Sequence, residues 1–129
     1  MRTPEEILRT ARTIAVVGAS PDPSRTSHGV MRYLQRVGYR CIPVNPNADE
    51  VLGERCYPSL ADVPEPIDLV DVFRRAEYCA GVAREAAAAG APALWLQLDL
   101  RSAEARDVAA RAGMEYVEDA CTAVVHRRL

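Results

Sequence analysis

Residues 13–20 read Thr-Ile-Ala-Val-Val-Gly-Ala-Ser, and about one βαβ unit further on the chain reads Val44-Asn45-Pro46. An apolar run ending in glycine and small residues, then an amphipathic segment of helical length, then a second apolar run, is how a doubly wound fold presents a strand-end loop to phosphate. The pairing predicts a nucleotide site. The second run ends in Asn45-Pro46, where a nicotinamide dinucleotide would need an Asp or Glu for its ribose. The fold expectation and the NAD expectation therefore part company.

The rest of the chain continues the alternation. Thr3, Pro4 and Glu6 form a capping-box start for a helix over residues 4–12, followed by a strand over 13–17. Val30, Leu34 and Val37 recur at helical spacing, which predicts a helix over 28–37 closed by Gly38, then a strand over 39–44. Residues 47–66, rich in proline and turn residues, predict a short strand near 55–57 and one helical turn after Ser59. Strands follow at 68–73, 93–98 and 115–117, with helices over 76–89 and, capped by Ser102, up to Ala112. The fold class expected is α/β: a Rossmann-like, doubly wound, mostly parallel sheet of about five to six strands with helices on both faces. No repeat or long linker divides the chain, so residues 1–129 are expected to form one domain.

Composition narrows the chemistry. A chain of 129 residues can remove roughly two-thirds of its unfolded surface from water without a metal or disulfide. Its net charge of −2 argues against a nucleic-acid partner, which needs a clustered basic surface. No apolar run is long enough to span a bilayer, and the polar, acidic N-terminus carries no secretory pattern, so a cytoplasmic location is expected. All 16 basic residues are arginine. That excludes a P-loop lysine, a Schiff-base lysine and a lysine general base, and leaves arginine, backbone amides and hydroxyls to hold any anion. Cys41, Cys56, Cys79 and Cys121 form no C-x-x-C pair and have no histidine at metal-ligand spacing, so no metal site is expected.

In a parallel sheet the segments following the strands open onto one edge: Gly18-Ala19-Ser20, Asn45-Pro46, Phe73-Arg74-Arg75, Gln97 to Arg101, and Asp119-Ala120-Cys121. Gly18 and Ala19 allow close backbone approach to an anion. Ser20, Ser24, Thr26 and Ser27 supply hydroxyls ahead of a helix N-terminus, and Arg25 and Arg74 can add charge-assisted bonds. A tight turn with an ordinary Ser or Thr cap is the alternative for the glycine loop, a packing role the alternative for Phe73 and Trp95, and solvation the alternative for Arg75.

The segments Val16-Val17-Gly18-Ala19-Ser20, Pro23-Ser24-Arg25 with Ser27-His28-Gly29, Pro43-Val44-Asn45-Pro46, Asp71-Val72-Phe73-Arg74 and Trp95-Leu96-Gln97 occur in that order. Together they resemble the small stand-alone CoA-binding proteins of the YccU type, a domain similar to the CoA-binding domain of the succinyl-CoA synthetase α subunit. The resemblance runs from about residue 8 to the C-terminus. It implies coenzyme A or acyl-CoA as ligand, with the pyrophosphate near Gly18, Ala19, Ser20 and Arg25, and Ser24, Ser27 and His28 in the same loop. It also implies the adenosine end near Val44, Asn45 and Pro46, with Phe73 and Arg74 lining the groove. Asn45 would bond the ligand through a neutral amide that does not repel phosphate. Gln97 and Cys121 complete the candidate set at the same edge. Ala120 departs from the arginine that commonly precedes the family's C-terminal cysteine.

The resulting expectation is a binding module with no catalytic residues of its own, acting alone or with a partner. The alternatives are an NAD(P)-dependent oxidoreductase, and a CoA-binding subunit of an NDP-forming acyl-CoA ligase that works with a separate ATP-grasp chain. A homo-oligomer is also left open. Cys121, near the end of a ligand that carries a thiol, is the cysteine expected to form a mixed disulfide with CoA under oxidation. His126 is expected at the surface or in packing.

Overall fold

The computed structural model describes all 129 residues. Five parallel strands form the sheet: β1 (Thr13–Val17), β2 (Arg40–Val44), β5 (Leu69–Val72), β6 (Ala93–Leu96) and β7 (Glu115–Val117), in the order β2-β1-β5-β6-β7. The two remaining strands, β3 (Glu50–Val51) and β4 (Glu54–Arg55), make a separate antiparallel hairpin whose two-residue turn places Leu52 and Gly53 at positive φ. The strand expected over 55–57 is thus one arm of a hairpin, while Tyr57 makes a single parallel bridge to Val44. The helical turn after Ser59 is a 3-10 turn at Leu60–Asp62.

Helices cover both faces, so the central strands are apolar on each side and read as continuous runs rather than alternating ones. Ile14, Val16, Leu69 and Trp95 point to one face, under α1 (Pro4–Thr10), α2 (Thr26–Arg36) and α5 (Thr122–Arg127). Ala15, Val17, Val70, Val72, Leu94 and Leu96 point to the other, under α3 (Ala76–Ala88) and α4 (Ala103–Arg111). At the sheet's lower end the Asp68 carboxylate accepts the backbone N–H groups of Arg12 and Thr13, both at 2.9 Å, which sets the start of β1 against the start of β5.

Helix α5 was not expected. It has six residues, two valines and a threonine among them, and its cap residue Cys121 makes no side-chain cap bond, so neither length nor capping announces it. It forms because Ala123 and Val125 close the core over β6, and because His126 packs edge-on against Tyr33 and Tyr39 with its Nδ1 2.7 Å from the Tyr33 hydroxyl. The fully buried Trp95 secures the segment before it: its indole N–H donates to the Ala120 carbonyl at 2.8 Å.

Trp95→Phe keeps the aromatic volume approximately but leaves the Ala120 carbonyl without that donor. It is expected to lower stability by about 1–3 kcal/mol in a denaturant titration, and to raise amide exchange in residues 119–122 before exchange rises in β1.

Candidate functional site

Strand β1 is the topological switch point: the chain leaving it turns to α2 on one face, whereas the chain leaving β5 beside it turns to α3 on the other. The two loops diverge and leave a cleft of about 830 Å³ at the C-terminal edge of the sheet. Gly18 sits at the fork with φ +86°, its N–H donating to the Val44 carbonyl at 2.9 Å. A Cβ there would lie 2.4 Å from the Phe73 carbonyl oxygen. Glycine at this position is therefore required by the packing of β1 against β5, whether or not an anion approaches it, and any larger residue would disturb the fold itself.

The loop after Gly18 is held by its own polar groups. Asp22 Oδ1 accepts from the Ser24 backbone N–H at 2.9 Å and from the Ser24 hydroxyl at 2.8 Å, and these bonds hold the carboxyl below its usual range. The Ser20 hydroxyl oxygen accepts from the Asp22 N–H at 3.1 Å, leaving its own proton free to donate. Helix α2 then begins with Arg25 as its cap residue and no side-chain cap bond. The ordinary Ser or Thr cap is not what closes this helix, and its first turn opens into the cleft beside Thr26 and Ser27.

Asn45 lines the cleft and also makes two bonds within the protein. Its Nδ2 donates to the Ala19 carbonyl at 2.7 Å, which ties the β2 loop to the β1 loop, and its Oδ1 accepts from the Asn47 N–H at 2.9 Å, which fixes the turn of the β2 loop itself. Of the residues expected in the site, Gly18, Ser20, Ser24, Arg25, Ser27, Asn45, Pro46, Phe73, Arg74, Gln97 and Cys121 line the cleft. Three do not. Ala19 is fully buried and contributes its carbonyl to Asn45, Val44 is buried in the core facing α3, and His28 lies half-buried on α2 away from the cleft. Trp95 is core, whereas Phe73 is only partly buried and faces the cleft.

Thr26 and Arg75 also line the cleft, as do Asn47, Leu98 and Leu100, which sequence reasoning did not single out. Leu98 is 61% exposed, an apolar residue just beyond a strand end, and that was the available signal. Asp119 fastens this part of the rim: its Oδ1 accepts from the Asp99 N–H at 2.8 Å and its Oδ2 pairs with Arg101 at 2.5 Å. The cleft is polar around the β1 and β2 loops, carries Arg25 on the β1 side and Arg74 and Arg75 on the β5 side, and is apolar around Phe73, Leu98, Leu100 and Cys121. It contains three arginines and not one carboxylate, although the whole chain carries a net charge of −2.

Behind the cleft lies a buried polar cluster. Asp71 on β5 is fully buried; its Oδ1 accepts from Gln97 Nε2 at 2.6 Å and its Oδ2 from the Thr122 hydroxyl at 3.0 Å, while Gln97 Nε2 also donates to Thr122 Oγ1 at 2.9 Å. Burial pushes the Asp71 carboxyl up to about 7 against the pull of both hydrogen bonds. Burial likewise pushes the Cys41 thiol up to about 12, which keeps it neutral in the core. No group of His, Cys, Asp and Glu is arranged to hold a metal ion, and no helix is long and apolar enough to cross a membrane.

The family model described as CoA binding domain matches residues 12–127. The uncharacterized protein YneT of Bacillus subtilis is 44% identical over 122 residues, covering 95% of this chain and 90% of YneT. A hypothetical protein from Pyrococcus horikoshii superposes with a TM-score of 0.95 at 40% identity, covering 99% of this chain and 92% of that one. An ADP-forming acetate–CoA ligase II of Archaeoglobus fulgidus is 33% identical over 81 residues, which is 61% of this chain but only 12% of the ligase.

The buried Asp71 gives a pH signature. Its folded pKa of about 7 stands above the ordinary 3.8, so between those values the native state binds more protons than the unfolded state, and stability falls as pH rises from about 4 to about 7. The carboxyls held low, those of Asp22, Glu65, Glu115 and Glu118, act in the opposite direction and at lower pH. Denaturation of wild type and Asp71→Asn at pH 5 and pH 8 is expected to show a component of at most about 3 kcal/mol, from the roughly two pH units between 5 and 7, that wild type loses on going to pH 8 and the variant does not.

Proposed function

Because the chain belongs to the CoA binding domain family, we propose that it binds coenzyme A or an acyl-CoA along the C-terminal edge of its sheet, as a module with no catalytic set of its own. The observation that carries this reading is the charge of the cleft: three arginines and no carboxylate, in an acidic chain. CoA brings three phosphate groups, and neither Arg25 nor Arg74 is paired with a carboxylate that would compete for it; Arg74 instead stacks over Tyr78 at 4.6 Å. The open first turn of α2 adds a favourable end for negative charge. The pyrophosphate is assigned to Gly18, Ser20, Arg25 and that turn, the adenosine end to Asn45 and Pro46, and the pantetheine arm to the apolar end at Phe73, Leu98 and Cys121.

Two observations bear on the alternatives. An NAD(P)-dependent oxidoreductase is disfavoured because Asn45 stands where the acidic ribose reader would be needed. A CoA-binding subunit working with an ATP-grasp chain is favoured by the match to one short portion of an acetate–CoA ligase. In that arrangement the present chain supplies the CoA site and the partner supplies the phosphoryl chemistry.

Calorimetric titration is expected to show CoA binding more tightly than NAD or NADP, and equal or tighter binding of NAD would overturn the assignment. Arg25→Ala removes an exposed cation that makes no side-chain bond within the protein. It is expected to weaken CoA roughly ten- to a hundredfold with no measurable change in the denaturation midpoint; a loss of stability with unchanged affinity would make Arg25 structural.

A further inference from the structure

Hydrogens can be counted around the buried cluster behind the cleft. Gln97 Nε2 carries two protons and donates one to Asp71 Oδ1 at 2.6 Å and one to Thr122 Oγ1 at 2.9 Å; the Thr122 hydroxyl proton goes to Asp71 Oδ2 at 3.0 Å. Every proton is used once, and the carboxylate contributes none. Above about pH 7 the Asp71 carboxyl is ionised and can only accept, so the Gln97 amide must face it with its nitrogen. The remaining polar atom, Gln97 Oε1, has no protein partner, yet no fully buried side-chain oxygen in the chain is left unpaired, so Oε1 keeps a small accessible surface; Gln97 as a whole is 5% exposed and lines the cleft. Asp71 and Thr122 are both fully buried and neither lines the cleft.

We propose that Asp71 and Thr122 are positioning residues that lock the polarity of the Gln97 amide, so that the inner wall of the cleft presents a fixed hydrogen-bond acceptor which selects a ligand arm carrying an N–H or S–H donor. The proposal rests on the CoA reading of the cleft. Gln97 sits beside the apolar end, where that reading puts the pantetheine arm, and the arm ends in two amide N–H groups and a thiol. A free amide side chain rotates and shows either its oxygen or its nitrogen; here rotation would set the Gln97 oxygen against a buried carboxylate and leave two acceptors in the cluster, Asp71 Oδ1 and Thr122 Oγ1, without their donors. In Asp71→Asn, with an amide opposite an amide, both orientations of Gln97 find partners and the lock is lost. Thr122→Val removes one acceptor and one donor from the same cluster.

The chain has two glutamines, which makes the lock directly visible. In NMR at pH 8 the Gln97 side-chain amide protons are expected to exchange with water at least about tenfold more slowly than those of Gln35, whose only partner is the Leu52 carbonyl at 3.3 Å. Asp71→Asn and Thr122→Val should each abolish that protection. Equal exchange of the two glutamines in wild type overturns the lock whatever the ligand. Titrations with CoA and with adenosine 3′,5′-bisphosphate, which lacks the arm, then test its consequence. Both variants are expected to weaken CoA about tenfold, the effect of one hydrogen bond, while leaving the bisphosphate within about twofold. Desulfo-CoA separates the donors: a deficit equal to that of the variants assigns the S–H, and unchanged affinity assigns an amide N–H. Lost protection with unchanged CoA affinity, or equal losses for CoA and bisphosphate, overturns the selection by polarity. If wild type binds neither ligand, the CoA reading fails while the exchange data still decide the lock. Should Thr122→Val not fold, Gln97→Met carries the same comparison between CoA and bisphosphate.

Discussion

The backbone contact between Gly18 and the Phe73 carbonyl sets the geometry on which the cleft depends. β1 and β5 are neighbours in a parallel sheet whose following helices go to opposite faces, so their exits must separate within a residue or two. Only a residue without a Cβ and with positive φ fits at that fork. From it follow the gap between the two loops, the direction in which α2 starts, and the placing of Arg25 and Arg74 on either side of one cavity.

Around that fork most of the polar side chains are engaged in shaping the walls. Asp22 holds Ser24, Asn45 ties Ala19 to Asn47, Asp119 holds the rim beyond β6, and the Trp95 indole holds the segment before α5. The bonds of Asp22 and of Asn45 to Asn47 stiffen a loop from within and the others join separate segments, which limits the motion that a strand-end loop would otherwise have. The groups left over are mainly cations and backbone N–H groups at a helix start, and this residue of unused donors is what makes the cleft suited to a polyphosphate.

The buried Asp71 is the exception to the economy of the core. An acidic residue in the middle of an aliphatic strand is costly in its charged form, as its raised pKa records, and two hydrogen bonds offset only part of that. Its partners are the residue just after β6 and the first residue of α5, so the same cluster that costs stability joins β5, the end of β6 and α5 at the back of the cleft.

Residue pattern alone determined the five sheet strands, the helices from α1 to α4 and their alternation. Apolar runs of four or five residues, helical spacing at Val30 and Leu34, and the glycines after helices each depend on neighbours a few positions away. The alternation of strands and helices then implies a parallel sheet, and the five strand-end segments that meet at one edge follow from it. Which groups in those segments are free to bind was decided only by tertiary structure. Ser24 and Asn45 carry suitable chemistry for a ligand, but Asp22 and the Ala19 carbonyl engage them first. Val44 and Ala19 lie in candidate segments yet face the core. Helix α5 and the Asp71–Gln97–Thr122 cluster were illegible for the same reason: the cluster's bonds span 25 to 51 positions. A hydrogen bond depends on the distance between two atoms in space, and local periodicity carries no information about pairs so far apart along the chain.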